Sequence, residues 1–229
     1  MKKSCVAFLS LMCGCILSAA EPVFSCDYTN GGVVKSRFGT PIIAGETQML
    51  DGMPSAICLD GKKNYMLVPD AKSLPLKKGA TFFAFVRFDE NKDYGMLFFK
   101  SGEFLLGLYQ KKMLYFNTCA VTSSGKLWDM PLYCPVSRGK WCTVAAVLRP
   151  NPSSATWTAL LYVDGVKKTS RTFKYEKGYP PETQNDLTIG KGWGGVWFFK
   201  GDIGTAQIYD APMTDSQIRA LSGKYSGDK

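Results

Sequence analysis

Short aromatic and β-branched runs recur along this chain, separated by polar turn residues. "VFSCDYT", "SAICLDG", "NYMLVPD", "ATFFAFVRFD", "GMLFFKSG", "FLLGLYQ", "MLYFNTCAV", "WCTVAAVLRP", "WTALLYVDG" and "VWFFKGDIGTAQIYD" each read as a strand. Between them lie "DGKKN", "DENKDYG", "RPNPSS", "DGVKK" and "KGYPPETQND", built from the residues that turns demand. In "TALLYVDG", Ala159, Leu161 and Val163 fall on one face, and Thr158, Leu160 and Tyr162 on the other. Asp164-Gly165 is a tight-turn pair. "TFFAFVRF" is apolar at both phases. It reads as a central strand covered on both sides, or as one whose second face lines an aromatic concavity. One helix is predicted, at the end. Thr214 is a natural N-cap with Gln217 three residues on, Met213 and Ile218 can staple its first turn, and Gly223 supplies a stop. Many strands without interleaved helices predict an all-β sandwich, jelly roll or barrel.

"LTIGKGWGGVWFFKGDI" holds Gly190, Gly192 and Gly195 in the spacing G-x-G-x-x-G. A dinucleotide site would need a helix opening on the third glycine. The residues that follow are aromatic and β-branched, and Gly201 and Gly204 interrupt them. The glycines therefore read as a loop between two strands.

The first residues change the picture of where the chain acts. Lys2 and Lys3, the apolar run Val6 to Leu17 and the small residues Ser18-Ala19-Ala20 form a secretory signal peptide, residues 1–20. Its apolar run is too short to span a bilayer, and no later stretch is long enough either. Cys15 after Gly14 stands where a lipid anchor would attach, but Met12-Cys13 makes a poor lipobox. Residues 21–229 then form one domain, exported to the periplasm, the cell surface or the medium. The whole chain carries a formal charge of +9, and without the two lysines of the leader it carries +7. Lysine pairs at 62–63, 77–78, 111–112 and 167–168 fall near turns or strand edges, where they discourage edge-to-edge pairing. This spread argues against a nucleic-acid stripe. Five cysteines remain: Cys26, Cys58, Cys119, Cys134 and Cys142. An odd number leaves at least one thiol, and Cys119 and Cys134 flank a loop that a disulfide could close.

Four ordered stretches resemble the LamG-like jelly-roll domains of the concanavalin A-like lectin/glucanase superfamily. They are "SAICLDGKKNYMLVPDAKSL", "KWCTVAAVL", "ALLYVDGVKK" and "LTIGKGWGGVWFFKGDIGTAQIYDAPMTDSQIRAL". The resemblance implies a two-sheet antiparallel jelly-roll sandwich with one short C-terminal helix. It places the glycine loop before the last long strand. It also implies an extracellular binding module for glycan or protein. Some relatives hold structural calcium, and many carry Ile-Asp-Glu in the closing strand. Here Ile203, Gly204 and Thr205 stand in those places, so the acids are missing and calcium is doubtful. No other cofactor or metal is expected.

The candidate chemistry is binding rather than catalysis. The chain has no histidine, which removes histidine bases and histidine-ligated zinc. Glycoside hydrolysis needs two facing carboxylates. Catalytic relatives carry E-x-D-x-E on one strand, and no such run exists here. Asp89, Glu90, Asp93, Glu176 and Glu182 read as solvated surface acids. Of five tryptophans, Trp141, Trp157 and Trp197 read as core. Trp193 and Trp128 sit among turn residues and are the candidate platforms for a sugar face, with Lys191 and Asp129 as polar neighbours. A loop tryptophan folded back as a plug is the competing reading. For the molecule as a whole, a protein-recognition or structural domain of an envelope assembly competes with glycan binding, and a hydrolase with an atypical site comes third.

Overall fold

In the computed structural model, the described residues are 21–50, 55–69, 71, 74, 76–90, 93–118, 131–175 and 177–225. They form two antiparallel sheets packed face to face. The strands in chain order are β1 (Phe24–Asp27), β2 (Val33–Ser36), β3 (Ile42–Ala44), β4 (Gln48–Leu50), β5 (Ala56–Asp60), β6 (Tyr65–Val68), β7 (Ala80–Phe88) and β8 (Tyr94–Lys100). They continue with β9 (Phe104–Tyr109), β10 (Met113–Thr118), β11 (Leu132–Pro135), β12 (Trp141–Asn151), β13 (Thr156–Val163), β14 (Val166–Phe173), β15 (Leu187–Ile189) and β16 (Lys200–Tyr209). One helix, α1 (Asp215–Gly223), follows.

One sheet has nine strands, ordered β14-β13-β12-β7-β16-β1-β2, with β5 and β4 joining at the other end of β16. The second has seven, ordered β11-β10-β9-β8-β15-β6-β3. The long closing strand β16 serves two neighbours on one side. Lys200 to Ile203 pair with β5, and Thr205 to Ile208 pair with β1. A bulge at Gly204 separates the two halves. A Cβ at Gly204 would stand 2.9 Å from a Phe85 ring carbon, so only glycine fits this crossing.

Alternation along β7 decides how the layers stack. Ala80, Phe82, Ala84, Val86 and Phe88 point between the sheets. The ring of Phe82 meets those of Phe98, Phe104 and Phe116 from the opposite sheet at 6.0, 4.4 and 5.9 Å. Phe83 and Phe85 point the other way, into a second cluster with Val147, Tyr162, Met213, Ile218 and Leu221. Of the two readings open for "TFFAFVRF", the first therefore holds: β7 is central and covered on both sides, and its second cover is α1. Ala159, Leu161 and Val163 join the core between the sheets, while Leu160 and Tyr162 face α1, as their alternation predicts.

Helix α1 starts where the capping box places it. Thr214 accepts from the Gln217 N–H at 3.3 Å, and the Gln217 side chain accepts from the Thr214 N–H at 2.8 Å. Its end differs from expectation. Gly223 is the last helical residue, and Lys224, in right-handed backbone, caps the helix. No left-handed glycine is needed, because the Lys224 N–H bonds back to the carbonyls of Leu221 and Ser222. The Asp164-Gly165 pair does adopt positive φ at both positions, 51° and 71°, as a tight hairpin turn requires.

Five strands escape the hydrophobic pattern: β2, β3, β4, β11 and β14. Four are short, and β14 is an exposed edge strand carrying Lys167 and Lys168. Its polar side chains give no periodic signal, and its lysines protect the edge. Conversely, "VWFFKGDIGTAQIYD" is not one strand. β16 begins only at Lys200, and the four residues before it belong to a separate arm.

Two outcomes test this architecture. Ile218→Ala should cost about 2–5 kcal/mol, because it empties a fully buried site between α1 and the sheet. Thr214→Ala should cost about 1 kcal/mol through loss of the cap alone. Urea unfolding of the two variants, with unchanged m-values, checks both.

Candidate functional site

The outer face of the seven-stranded sheet has no helix over it among the described residues. The strand registers place tyrosines side by side on it. Tyr94 of β8 pairs with Tyr109 of β9, and Tyr115 of β10 pairs with Tyr133 of β11. The diagonal between the pairs is closed by Tyr109, whose ring lies 5.7 Å from Tyr115 and 5.3 Å from Tyr133. Tyr94 and Tyr109 are 5.1 Å apart, and Tyr115 and Tyr133 stack at 5.0 Å and 13°. On the same face, Met96, Phe99 and Leu105 form a small buried cluster of their own, separate from the core between the sheets, with Tyr94, Tyr115 and Trp197 packed against it.

The glycine loop extends this row. β15 pairs with β8 as far as Ile189↔Phe98, and Gly190 continues with a bond from its N–H to the Leu97 carbonyl. The chain then turns out and back, joined by a bridge between Lys191 and Phe198. The returning arm takes over beside β8, where the Trp197 carbonyl accepts from the Met96 and Gly192 N–H groups. Trp197 thereby comes to rest on Tyr94, with centroids 4.3 Å apart at 21°. Trp193 follows at 6.4 Å, edge-on to Trp197. Six rings thus form one continuous strip: Trp193, Trp197, Tyr94, Tyr109, Tyr115 and Tyr133. It is most open at its two ends, where Trp193 is 59% and Tyr133 39% exposed.

Glycine at 192 makes the seating of Trp197 geometrically feasible. A Cβ there would stand 2.6 Å from Met96 Cγ and 2.9 Å from Trp197 Cβ. The tip needs glycine for a different reason: Gly194 and Gly195 hold φ of 63° and 67°, beside Trp193. The motif-like spacing of these glycines thus serves a turn and a close approach, with no helix after it to receive a phosphate.

The strip is electrically quiet. Burial pushes the Tyr115 phenol up to about 12, partly offset by the bond from Asn117. Burial also raises Tyr94 and Tyr133. All three keep their protons at neutral pH and offer O–H donors. Asn117 donates to the Tyr115 oxygen at 2.9 Å, and Gln110 to the Tyr109 oxygen at 3.1 Å.

Of the residues expected to form a site, Trp193 is exposed at the end of this strip. Lys191 is near in sequence, but its ammonium lies 4.2 Å over the Tyr65 ring and 5.9 Å from the Phe198 ring centre. Trp128 and Asp129 lie outside the described residues, in the connection between β10 and β11. Cys134 is a buried thiol; Cys119, its candidate partner, lies outside the described residues, as do Cys15 and Glu176. Trp157 is core, with its N–H donated to the Gly178 carbonyl at 3.0 Å. Trp197 corrects the reading of its neighbourhood: it is only half-buried and faces outward. Flanking phenylalanines suggested core, yet only Phe199 is fully buried there. The four tyrosines gave no signal beyond strand propensity, since their juxtaposition is set by register.

A second cluster lies where β5, β7 and β16 meet in the nine-stranded sheet. A cavity of about 270 Å³ is lined by Cys58, Asp60, Arg87, Asp89, Lys200 and Asp202, among others. Its charges are mutually satisfied. Arg87 donates to Asp202 at 2.5 Å, and Lys200 pairs with Asp89 at 3.2 Å. Asp60 caps its own turn, accepting from the N–H groups of Lys62 and Lys63 at 2.8 and 3.0 Å. The closing strand does not fit the calcium of the wider superfamily: Gly204 and Thr205 carry no carboxylate, and Asp202 is held by arginine.

The sequence profile of the Laminin_G_3 family, described as concanavalin A-like lectin/glucanases superfamily, matches residues 60–219. The chain therefore belongs to this family, a class whose sandwich the two sheets reproduce. No curated protein matches it in sequence. Among solved structures, it is similar to the receptor binding domain of botulinum neurotoxin type G, with a TM-score of 0.66 at 10% identity. That match covers 90% of this chain and 51% of the neurotoxin domain, so the chain spans about half that domain's length. The binding domain of botulinum neurotoxin DC in complex with SialylT gives 0.64 at 12% identity, over 90% and 52% of the two chains. Domain 4 of an extracellular GH43 arabinanase from Geobacillus stearothermophilus, in complex with arabinotriose, gives 0.63 at 17% identity. There the match covers 89% of this chain and 98% of the other.

Two measurements probe the site. Gly192→Ala should cost about 1–3 kcal/mol by overpacking against Met96 and Trp197, and should shift the near-ultraviolet signal of the tryptophans. Stability should also fall on the alkaline side. Burial raises Cys26 and Tyr209 to about 12, as it does Tyr115, above their unfolded values near 8.5 and 10. Groups raised in the folded state favour folding below their unfolded pKa. That contribution drains away as pH climbs toward the folded one. Urea midpoints should therefore be level near neutrality and drop steadily above about pH 9–10.

Proposed function

We propose that this protein is an exported, non-enzymatic binding module that recognises glycan on the aromatic strip. The observation that carries the reading is the six-ring row from Trp193 to Tyr133 on a sheet face that no helix covers among the described residues. Sugar rings present C–H faces that stack on such rings, while protonated phenols and amides bond the hydroxyls. Structural neighbours solved with SialylT and arabinotriose support the same class of ligand. The leader-like residues 1–20 support export.

A protein partner is the second reading. Ile42, Ile43 and Met49 favour it, being 54%, 43% and 49% exposed on the short strands β3 and β4.

The test is Trp193→Ala, measured for both glycan binding and melting. Loss of about 2 kcal/mol in affinity is expected, as for a truncated aromatic hot spot. The melting temperature should barely move, since the side chain is mostly in water. A large drop in melting temperature with unchanged affinity would make Trp193 a structural plug. Glycan binding that survives unchanged in both Trp193→Ala and Tyr94→Ala would remove the strip from the function.

A further inference from the structure

We infer that the ligand of this strip is an internal stretch of a neutral, linear polysaccharide, held across the strands, and neither a single terminal sugar nor an acidic glycan. The inference rests on the strip being the binding face. Shape carries its first half. The four tyrosines belong to four adjacent strands, so the row crosses the sheet, the rings of Tyr94, Tyr109 and Tyr133 following one another at 5.1 and 5.3 Å with Tyr115 beside the last two. The tryptophan arm lengthens it beyond β8. A site for one terminal sugar would be a closed pocket deepest at one point. Here exposure is greatest at both ends, at Trp193 and Tyr133, and the rings between are half-buried. A chain can enter at one end and leave at the other.

Charge carries the second half. Every described outward position from β8 to β11 along the row is aromatic, aliphatic, glycine or amide. The phenols of Tyr94, Tyr115 and Tyr133 are pushed upward by burial, so they stay neutral. Lys191, the cation nearest in sequence to Trp193, is occupied over Tyr65 and Phe198. Among the described residues, the charges in the turns at one end of these strands, Asp93, Lys111 and Lys112, are of mixed sign. An acidic polymer would find no row of cations matching its repeat.

The experiment uses the full chain and oligosaccharide ladders from monosaccharide to hexasaccharide of β-1,4-glucan, β-1,4-xylan and α-1,5-arabinan. An oligogalacturonate ladder is the acidic control. Calorimetry at low and high salt follows wild type, Trp193→Ala and Tyr133→Ala. On at least one neutral ladder, affinity should rise about tenfold or more from disaccharide to hexasaccharide, as successive rings are stacked, and salt should not alter it. Each end variant should weaken the hexasaccharide by about tenfold, with its melting curve unchanged to exclude misfolding. A disaccharide, too short to reach both ends, should be weakened by one variant only. A monosaccharide that binds as tightly as the hexasaccharide, or tighter salt-sensitive binding of oligogalacturonate, overturns the inference but leaves the strip as the binding face if the variants still weaken it. Binding that neither variant affects, or no binding to any ladder, removes both.

Discussion

Phe82 holds the two sheets to one spacing. It projects from the middle of the nine-stranded sheet into Phe98, Phe104 and Phe116, which come from three consecutive strands of the other sheet. Once those rings interlock, the phase of β8, β9 and β10 is fixed. Inward positions are committed to the core, and every alternate residue must face outward. Tyr109 and Tyr115 are those alternates; Tyr94, four residues from Phe98, faces outward because a bulge between Met96 and Phe98 shifts the phase of β8, and Tyr133 joins them from β11. The same contact that closes the core therefore builds the exposed aromatic face.

A sandwich covers only one face of each sheet, and the two outer faces are treated differently here. On the nine-stranded sheet, α1 lies over Phe83 and Phe85, whose outward rings need burial. On the seven-stranded sheet, the residues packed against Met96, Phe99 and Leu105 are themselves aromatic and half-exposed. Rings of this kind are amphipathic covers: apolar enough to shield what lies beneath, polar enough at the hydroxyl or indole nitrogen to meet water. That property lets a face remain both stable and available to a ligand.

Several polar groups elsewhere among the described residues are spent on structure. Asp202 is bonded to Arg87 and Asp60 to its own turn. Buried Lys100 is paired with Glu103, and the Thr183 N–H also donates to that carboxylate, at 2.6 Å. The last of these ties the Pro-rich loop before β15 to the β8–β9 turn. Isolated charges in such places would be costly, and each has a partner. The aromatic strip differs in that its rings stand partly exposed on the outer face of the sheet.

Much of this was legible in the chain itself. Alternation in "TALLYVDG", the double-faced apolar run of β7, the Asp164-Gly165 turn and the Thr214 cap are local patterns, and local patterns dictate strands, turns and helix starts. The glycine neighbours of Trp193 marked a loop tip but left an exposed ring and a folded-back plug both open; the fold exposes it. What the chain could not reveal was which strands adjoin. Tyr94, Tyr109, Tyr115 and Tyr133 occupy unremarkable strand positions, and Trp197 sits in a run of phenylalanines that imitates core. They become one surface only because antiparallel registers bring β8 to β11 side by side and because the arm after Gly190 takes up the edge of β8. Hydrophobic period sets which way a side chain points. Which other side chain stands beside it is a long-range decision, made by the packing of the two sheets.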